Sequence, residues 1–102
     1  MKLKVTDTDE YVSVSLMDGC VLAGSAEMDL MGDNWWLSRI VLKHKYRRQG
    51  YGTKIINELK RYTSGLKIVV MPGGYDLTKD EQIAFYKSCG FQTIDEHTLE
   101  YK

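Results

Sequence analysis

The sequence predicts an α+β domain with a mixed, mostly antiparallel sheet and two helices, and two observations carry this prediction. Apolar residues recur at every second position in the first forty residues, whereas after Leu42 they adopt a helical period. The length of 102 residues and the hydrophobic content of 43% are those of one globular domain with a single core. We therefore treat residues 1–102 as one domain.

Short strands joined by tight turns are predicted in the first half of the chain. Apolar residues alternate with serines over 12–16, and Asp18-Gly19 predicts a hairpin turn into a second strand over about 20–30. A third strand follows over Trp35–Leu42, and Met1–Val5 is a candidate edge strand. One face of the strand over 20–30 is predicted to carry Leu22, Gly24, Ala26, Met28 and Leu30.

The second half alternates helices and strands. Apolar residues spaced for one helical face predict a helix over about 51–63 that ends before Gly65. The apolar run Leu66–Met71 suits a buried strand reached by a crossover, so the sheet is mixed. Thr78 and Glu81 have the spacing of a capping box, which predicts a second helix over about 79–89.

Two short strands, Phe91–Ile94 and His97–Tyr101, complete the predicted order ββββαβαββ. They follow Gly90, which is expected to end the second helix. The sequence contains no repeat and no low-complexity segment.

Charge and cysteine content exclude several classes of function. The chain carries 14 basic and 14 acidic residues, so no overall field favours nucleic acid or an anionic membrane. No segment has the roughly 20 apolar residues of a membrane helix, and the N-terminus lacks the apolar core of a signal peptide. Two separate cysteines and two isolated histidines predict neither a disulfide framework nor a metal site. We expect a cytoplasmic protein without a metal.

One basic segment stands out in this neutral chain. Residues 43–54 contain five positive charges and no acidic residue, where a strand ends and a helix begins. The amides of Arg47–Gly52 and the positive end of the helix dipole can converge on an anion there. Gly50 and Gly52 let the backbone approach without a Cβ in the way. The segment therefore predicts a cradle for a diphosphate.

Two other phosphate motifs do not fit this segment. A P-loop requires Lys and then Ser or Thr directly after its last glycine, but Gly52 is followed by Thr53 and Lys54. A dinucleotide fingerprint requires a third glycine where Ile55 stands. The alternative interpretation is a tight turn beside a solvated basic surface.

Two segments resemble the signatures of a known family. Arg47–Gly52 matches the Q/R-x-x-G-x-G/A motif of the GCN5-related N-acetyltransferases, and Phe85–Phe91 resembles the family's helix signature F/L-Y-x-x-x-G-F. The two begin 38 residues apart and occur in the family's order. The strand and helix pattern agrees from Tyr11 to Lys102, about nine-tenths of the chain. The resemblance implies an acyl-CoA N-acyltransferase-like fold.

The resemblance also implies a reaction and a cofactor site. It implies direct transfer of an acetyl group from acetyl-CoA to a primary amine, on a protein or a small molecule, in a ternary complex. The backbone of Ile40, Val41 and Leu42 would pair with the pantetheine arm. The pyrophosphate would be bound by Arg47, Arg48, Gln49, Gly50, Tyr51, Gly52 and Thr53. Candidates for the nucleotide phosphates are Lys43, Lys45, Arg48 and Lys54.

Tyr86 is the predicted catalytic residue because it falls on the tyrosine of the second signature. By resemblance its hydroxyl lies near the thioester sulfur. A phenol of pKa about 10 can protonate a departing thiolate whose thiol has a pKa near 8.5. The alternative is a core aromatic residue on the same helical face as Ile83.

The expected general base is missing. Many family members place a glutamate on the fourth strand, where this sequence has Trp36, with Leu37 and Ser38 beside it. Three other residues are candidates to act through water, without a commitment to any of them: Glu27, Asp29 and His97.

The two helices that usually follow the family's first strand are also missing, because only about five residues, Thr6–Glu10, are available. In family members these helices form one wall of the acceptor site. Without them, either the acceptor groove is open to an amine on a macromolecule, or a second subunit in a homodimer supplies this wall. Trp35 and Trp36 are expected beside that space, one of them facing the core.

Two other functions remain as alternatives. The missing base and wall favour a non-catalytic acyl-CoA-binding or protein-interaction module on the same fold. Binding of nucleic acid phosphate by the basic turn is a third hypothesis, against which the neutral overall charge argues.

Overall fold

A seven-stranded mixed sheet forms the body of the protein in the computed structural model, which describes residues 1–72 and 78–102. The strand order across the sheet is β1-β2-β3-β4-β5-β7-β6, with β4 and β5 parallel and the other neighbours antiparallel. The predicted fold class and element order are therefore confirmed. The elements are β1 (Lys2–Asp7), β2 (Tyr11–Asp18), β3 (Val21–Met31), β4 (Asn34–Leu42), α1 (Tyr51–Lys60), β5 (Lys67–Val70), α2 (Lys79–Ser88), β6 (Gln92–Asp95) and β7 (Thr98–Tyr101).

Both helices cover the same face of the sheet. The Cβ of an alanine at Gly52 in α1 would lie 3.0 Å from the ring of Phe85 in α2, so the helices touch. Val12, Val14 and Leu16 of β2 point toward the helices and are at most 1% exposed. The core between sheet and helices also contains Ala26, Met28, Trp35, Leu37, Ile55, Ile56, Leu59, Ile68 and Leu99.

The opposite face has no helix over it within residues 1–72 and 78–102. The connection between β1 and β2 is three residues long, 8–10, and is closed by a hydrogen bond from the Thr8 amide to the Tyr11 carbonyl at 2.7 Å. The predicted absence of helices at this point is therefore confirmed. We call this side of the sheet the uncovered face; its central side chains are Tyr11, Ser13, Ser25, Glu27, Asp29 and Trp36.

A bulge changes one predicted face. In the ladder between β2 and β3, Leu16 pairs with Gly24 but Met17 pairs with Leu22, so Ala23 is the extra residue. Beyond the bulge the alternation shifts by one, which buries Ala23 completely and leaves Leu22 41% exposed. The prediction that Leu22 shares the face of Gly24 was wrong for this reason.

The first helix is shorter than predicted, ending at Lys60 rather than 63. Arg61 and Tyr62 donate their amides to carbonyls three residues back, at 3.1 and 3.0 Å, which tightens the last turn. The carbonyl of Thr63 also accepts a hydrogen bond from the indole Nε1 of Trp35 at 3.1 Å. This tertiary contact draws the chain out of the helix toward β4.

The two tryptophans separate as strand alternation predicts. Trp35 is 4% exposed and faces the helices, whereas Trp36 is half-buried on the uncovered face between Asp29 and Val69. Trp35 therefore anchors the end of α1, and Trp36 does not.

We expect Trp35→Phe to lower the free energy of unfolding by roughly 2 kcal/mol, through one lost hydrogen bond and a smaller buried ring. Trp36→Phe is the matched control and should cost less than about 1 kcal/mol because the ring stays partly in water. Urea unfolding of both variants measures the difference. Equal losses would contradict the anchoring role of Trp35.

Candidate active site

A cavity of about 610 Å³ lies where β4 and β5 separate. Among the described residues, β5 pairs with β4 only at Asn34–Trp36, and the strands diverge beyond that point. The turn before α1 and one side of α2 form the other walls. The lining residues are Leu37, Ser38, Arg39, Ile40, Val41, Leu42, Arg47, Arg48, Gly50, Gly52, Thr53, Val70, Met71, Glu81, Gln82, Phe85 and Tyr86.

The edge of β4 presents alternate peptide groups to this cavity. The Lys43 amide donates to the Ala23 carbonyl at 2.9 Å, and Val41 lies opposite Ser25 in the same register. By antiparallel alternation the peptide groups of Ile40 and Leu42 then point away from β3, toward the cavity. The Leu42 carbonyl accepts a hydrogen bond there from Arg47 Nε at 2.9 Å. Of the three residues expected to pair with pantetheine, Val41 directs its peptide groups to β3 instead.

The turn before α1 needs two residues in the left-handed region. Arg48 has φ +62° and Gly50, the N-cap of α1, has φ +82°. Within the part of the chain that the structure describes, no side chain caps α1 and its first turn contains no acidic residue. The amides of the first turn thus point toward the cavity end where Arg47 and Arg48 also lie. This arrangement can bind an anion.

The two glycines of the turn act differently. A Cβ at Gly50 would meet nothing within 4 Å, so glycine is favoured there by the positive φ and not by lack of space. A Cβ at Gly52 would instead lie too close to the Phe85 ring. Gly52 therefore joins the two signature segments, which are distant in sequence, by direct packing. The Phe85 ring therefore leaves little room for any side chain larger than that of glycine at position 52.

Two of the ten residues predicted to bind the pantetheine arm and the pyrophosphate are outside the cavity lining. The Gln49 side chain donates from Nε2 to the Lys45 carbonyl at 3.0 Å, and the Tyr51 ring packs edge-on against Tyr46 at 6.4 Å. Their side chains hold the turn in shape. The other eight of these ten residues all line the cavity. Of the candidates for the nucleotide phosphates only Arg48 lines it, and Lys43, Lys45 and Lys54 do not.

Tyr86 is both a core residue and part of the cavity wall. Its side chain is 3% exposed and its ring lies 5.3 Å from Phe85 and 5.5 Å from Phe91. The position of Tyr86 therefore agrees with both interpretations from the sequence, that of a catalytic residue and that of a core aromatic residue. Packing on both sides fixes the ring in the wall opposite β4.

Sequence reasoning missed three further lining residues on α2, which are Glu81, Gln82 and Phe85. Glu81 and Phe85, like Gln82 and Tyr86, are four positions apart, and Gln82 and Phe85 are three apart. These spacings place all four on one helical face, which was the available signal. Glu81 is engaged in the predicted capping box, with Oε1 accepting from the Thr78 amide at 3.1 Å. These hydrogen bonds from Thr78 lower the pKa of Glu81, and nearby Arg48 lowers it further.

The candidate bases are dispersed. Glu27 and Asp29 are on the uncovered face, as is Trp36, which stands in place of the family's usual glutamate. His97 lies in the turn between β6 and β7, with Nδ1 2.8 Å from Lys79 Nζ. In the ranges 1–72 and 78–102 no group of His, Cys, Asp and Glu is arranged to hold a metal. No described helix is long and apolar enough to cross a membrane.

Comparison with known proteins agrees with the family that the two sequence motifs resemble. Residues 8–93 match the family model described as acetyltransferase (GNAT) domain. No curated protein sequence matches the chain. Similar solved structures include the anti-CRISPR protein AcrVA5, at 19% identity with a TM-score of 0.75, covering 91% of this chain and 99% of that one.

Two other similar structures are complexes with coenzyme A. The PaiA N-acetyltransferase of Thermoplasma acidophilum is 18% identical with a TM-score of 0.78, over 91% of this chain and 61% of that chain. The N-acetyltransferase homologue YhhK of E. coli is 20% identical with a TM-score of 0.75, over 93% and 73%. At these identities the likeness concerns the fold.

We expect the pKa of Glu81 to lie below its ordinary value of 4.5 and to rise only partly toward it in Thr78→Ala, which removes the hydroxyl but keeps the main-chain amide that lowers this pKa most. Because the folded-state pKa is lowered, the stabilisation is present above pH 4.5 and is lost as the pH falls through the folded-state pKa. Thr78→Ala should therefore destabilise the protein more at pH 7 than at pH 3. NMR titration of the side-chain carboxyls measures the shift, with Asp95 as the internal control because its pKa is lowered by the His97 amide. A Glu81 pKa at its ordinary value in the wild type would contradict the cap.

Proposed function

Since the chain belongs to the GCN5-related N-acetyltransferase (GNAT) family, we propose that it transfers the acetyl group of acetyl-CoA directly to a primary amine in a ternary complex. The observation that carries this proposal is that the open edge of β4, the glycine turn and Tyr86 all contribute to the same cavity. Its volume of about 610 Å³ is within the usual range for small-molecule sites.

The open edge of β4 and the glycine turn support one direction for bound acetyl-CoA. The amides of the pantetheine arm resemble a peptide strand and would pair with Ile40 and Leu42, as an added strand beside β4. The pyrophosphate would then reach the first turn of α1, near Arg47 and Arg48. The thioester would lie between Tyr86 and the part of β4 closest to β5.

The reaction needs one proton acceptor and one proton donor. A primary ammonium has a pKa about 3.4 units above neutrality, so forming the free amine costs about 4.6 kcal/mol. The amine nitrogen attacks the thioester carbonyl carbon, a C–N bond forms, and the C–S bond then breaks. Tyr86 would donate its phenolic proton to the leaving thiolate and recover a proton from solvent.

The acceptor is proposed to approach from the uncovered face. The helices and the glycine turn cover the other side of the sheet, whereas the connection 8–10 leaves this side without a wall in the described part of the chain. An open surface suits a primary amine carried by a protein as well as a small amine. The alternative arrangement, in which a second copy covers this face, predicts a homodimer.

The site of action is proposed to be the cytoplasm. Cys20 and Cys89 are both free thiols, one exposed and one buried, which favours a reducing compartment.

A non-catalytic acyl-CoA-binding module is the second candidate, because the position of the family's usual glutamate is occupied by Trp36 and no acidic residue occurs in β4. This candidate predicts acetyl-CoA binding without release of free CoA. Nucleic acid binding has weaker support, because the basic turn faces a cavity lined partly by apolar side chains.

Gly50→Ala should weaken acetyl-CoA binding at least about tenfold, because alanine disfavours the positive φ that aims the amides of the turn. Gly65→Ala is the matched control, since Gly65 has the same φ of +82° with equally open space, but lies after α1. Both variants should lose similar stability, and only Gly50→Ala should lose affinity in calorimetric titration. Equal affinities in the two variants would contradict binding at the turn.

Tyr86→Phe should reduce kcat about 100-fold or more while acetyl-CoA binding is retained, because the ring stays and the proton donor is lost. Release of free CoA thiol is measured with a panel of acceptors consisting of lysine peptides, putrescine and unfolded casein. Unchanged turnover in Tyr86→Phe would remove this residue from the mechanism. Wild-type protein that binds acetyl-CoA but releases no thiol with the whole panel would favour the binding module.

A further inference from the structure

We propose that Asp29, acting through the hydroxyl of Ser38, accepts the proton of the acceptor amine. This inference rests on the proposed transfer reaction and supplies the base that β4 lacks. Its basis is a second bulge in the sheet, which brings a side chain of β4 and a carboxylate of β3 together beside the cavity.

The bulge lies in the ladder between β3 and β4. Glu27 pairs with Arg39, and the next residue, Met28, pairs with Leu37, so Ser38 is an extra residue in β4. A bulge of this kind bends the strand and redirects the extra side chain. Ser38 follows the last pair between β4 and β5, Trp36 with Val69, by two residues, and it lines the cavity. The bulge therefore coincides with the separation of the two strands.

The Ser38 hydroxyl is held by β3. Its Oγ lies 3.0 Å from Asp29 Oδ2 and 3.2 Å from the main-chain carbonyl of Glu27. A hydroxyl has one proton to donate, and the carboxylate is the stronger acceptor of the two. With that proton directed to Asp29, the lone pairs of Oγ can accept an N–H from an amine in the cavity. This geometry orients Ser38 as a proton relay.

The other carboxylates near the cavity are less suited to this role. Glu81 lines the cavity, but its hydrogen bonds with Thr78 and its lowered pKa make it a weak base. Glu27 meets Ser38 through its carbonyl and stands opposite Arg39 in the register. Asp29 contacts the hydroxyl directly.

The immediate surroundings of Asp29 are aromatic on both sides. Its neighbours in register on the uncovered face are Tyr11 of β2 and Trp36 of β4. Side chains directly opposite each other in adjacent strands lie close enough for contact. These residues border the side from which the amine is proposed to approach.

The proton transfers balance as follows. The ammonium gives one proton to Ser38 Oγ as the Ser38 hydroxyl proton passes to Asp29, which returns it to solvent. The resulting amine forms the C–N bond, and the second nitrogen proton passes to solvent as the tetrahedral intermediate collapses and the C–S bond breaks. The thiolate takes its proton from Tyr86 on the opposite wall, and Tyr86 recovers a proton from solvent. The net products are the amide, free CoA and one proton.

The test compares Asp29→Asn and Ser38→Ala with the wild type in the thiol-release assay. Asparagine keeps the shape and a hydrogen-bond acceptor for Ser38 but loses the basic carboxylate. We expect kcat to fall at least about 100-fold in Asp29→Asn, with KM for the amine and for acetyl-CoA within about threefold of wild type. Ser38→Ala should show the same pattern. Acetyl-CoA titration and thermal melting of both variants establish that they fold and bind.

Glu27→Gln is the matched control, on the same strand and face, because the substitution leaves the carbonyl that meets Ser38 in place. It should retain kcat within about threefold. A kcat within twofold of wild type in both Asp29→Asn and Ser38→Ala would overturn the relay. A raised KM for the amine with unchanged kcat would also overturn it, since Asp29 would then bind the ammonium without accepting its proton. Absence of wild-type thiol release overturns the proposed transfer itself, which distinguishes the two failures.

Discussion

The separation of β4 from β5 after three residue pairs is the constraint on which the site depends. It leaves the peptide groups of Ile40 and Leu42 without a strand partner on that side in the described chain, and it opens the cavity. The bulge at Ser38 bends β4 at the same point. The contact between Gly52 and Phe85 fixes the two helices relative to each other and so sets the distance between the glycine turn and Tyr86.

The fold was largely predictable because most of its elements are specified locally. Alternating side chains specify β2, and the capping box of Thr78 and Glu81 specifies the start of α2. The exceptions depend on tertiary structure. The position of Leu22 depends on a bulge between two strands, and the end of α1 depends on Trp35, which is distant in sequence. Local periodicity contains no signal for either.

The position of the candidate site was predictable from local signatures, but the contacts between strands were not. Short motifs predicted the glycine turn and Tyr86 as site residues, and the structure places both at one cavity. The hydrogen bond between Ser38 and Asp29 requires an extra residue in β4 opposite β3, which the alternation of Trp35–Leu42 did not indicate. The uncovered face was predictable from the short connection between β1 and β2, because its three residues cannot form a stable helix.

Residue-resolved amide hydrogen exchange by NMR, with and without acetyl-CoA, tests the central claim most directly. If the pantetheine arm adds to β4 and the pyrophosphate reaches α1, the amides of Ile40 and Leu42 and those of residues 51–53 become protected on binding. The Val41 amide points to β3, so its exchange should change little. Protection of Val41 in place of its two neighbours, or acetyl-CoA binding that leaves all these amides unchanged, would contradict the account.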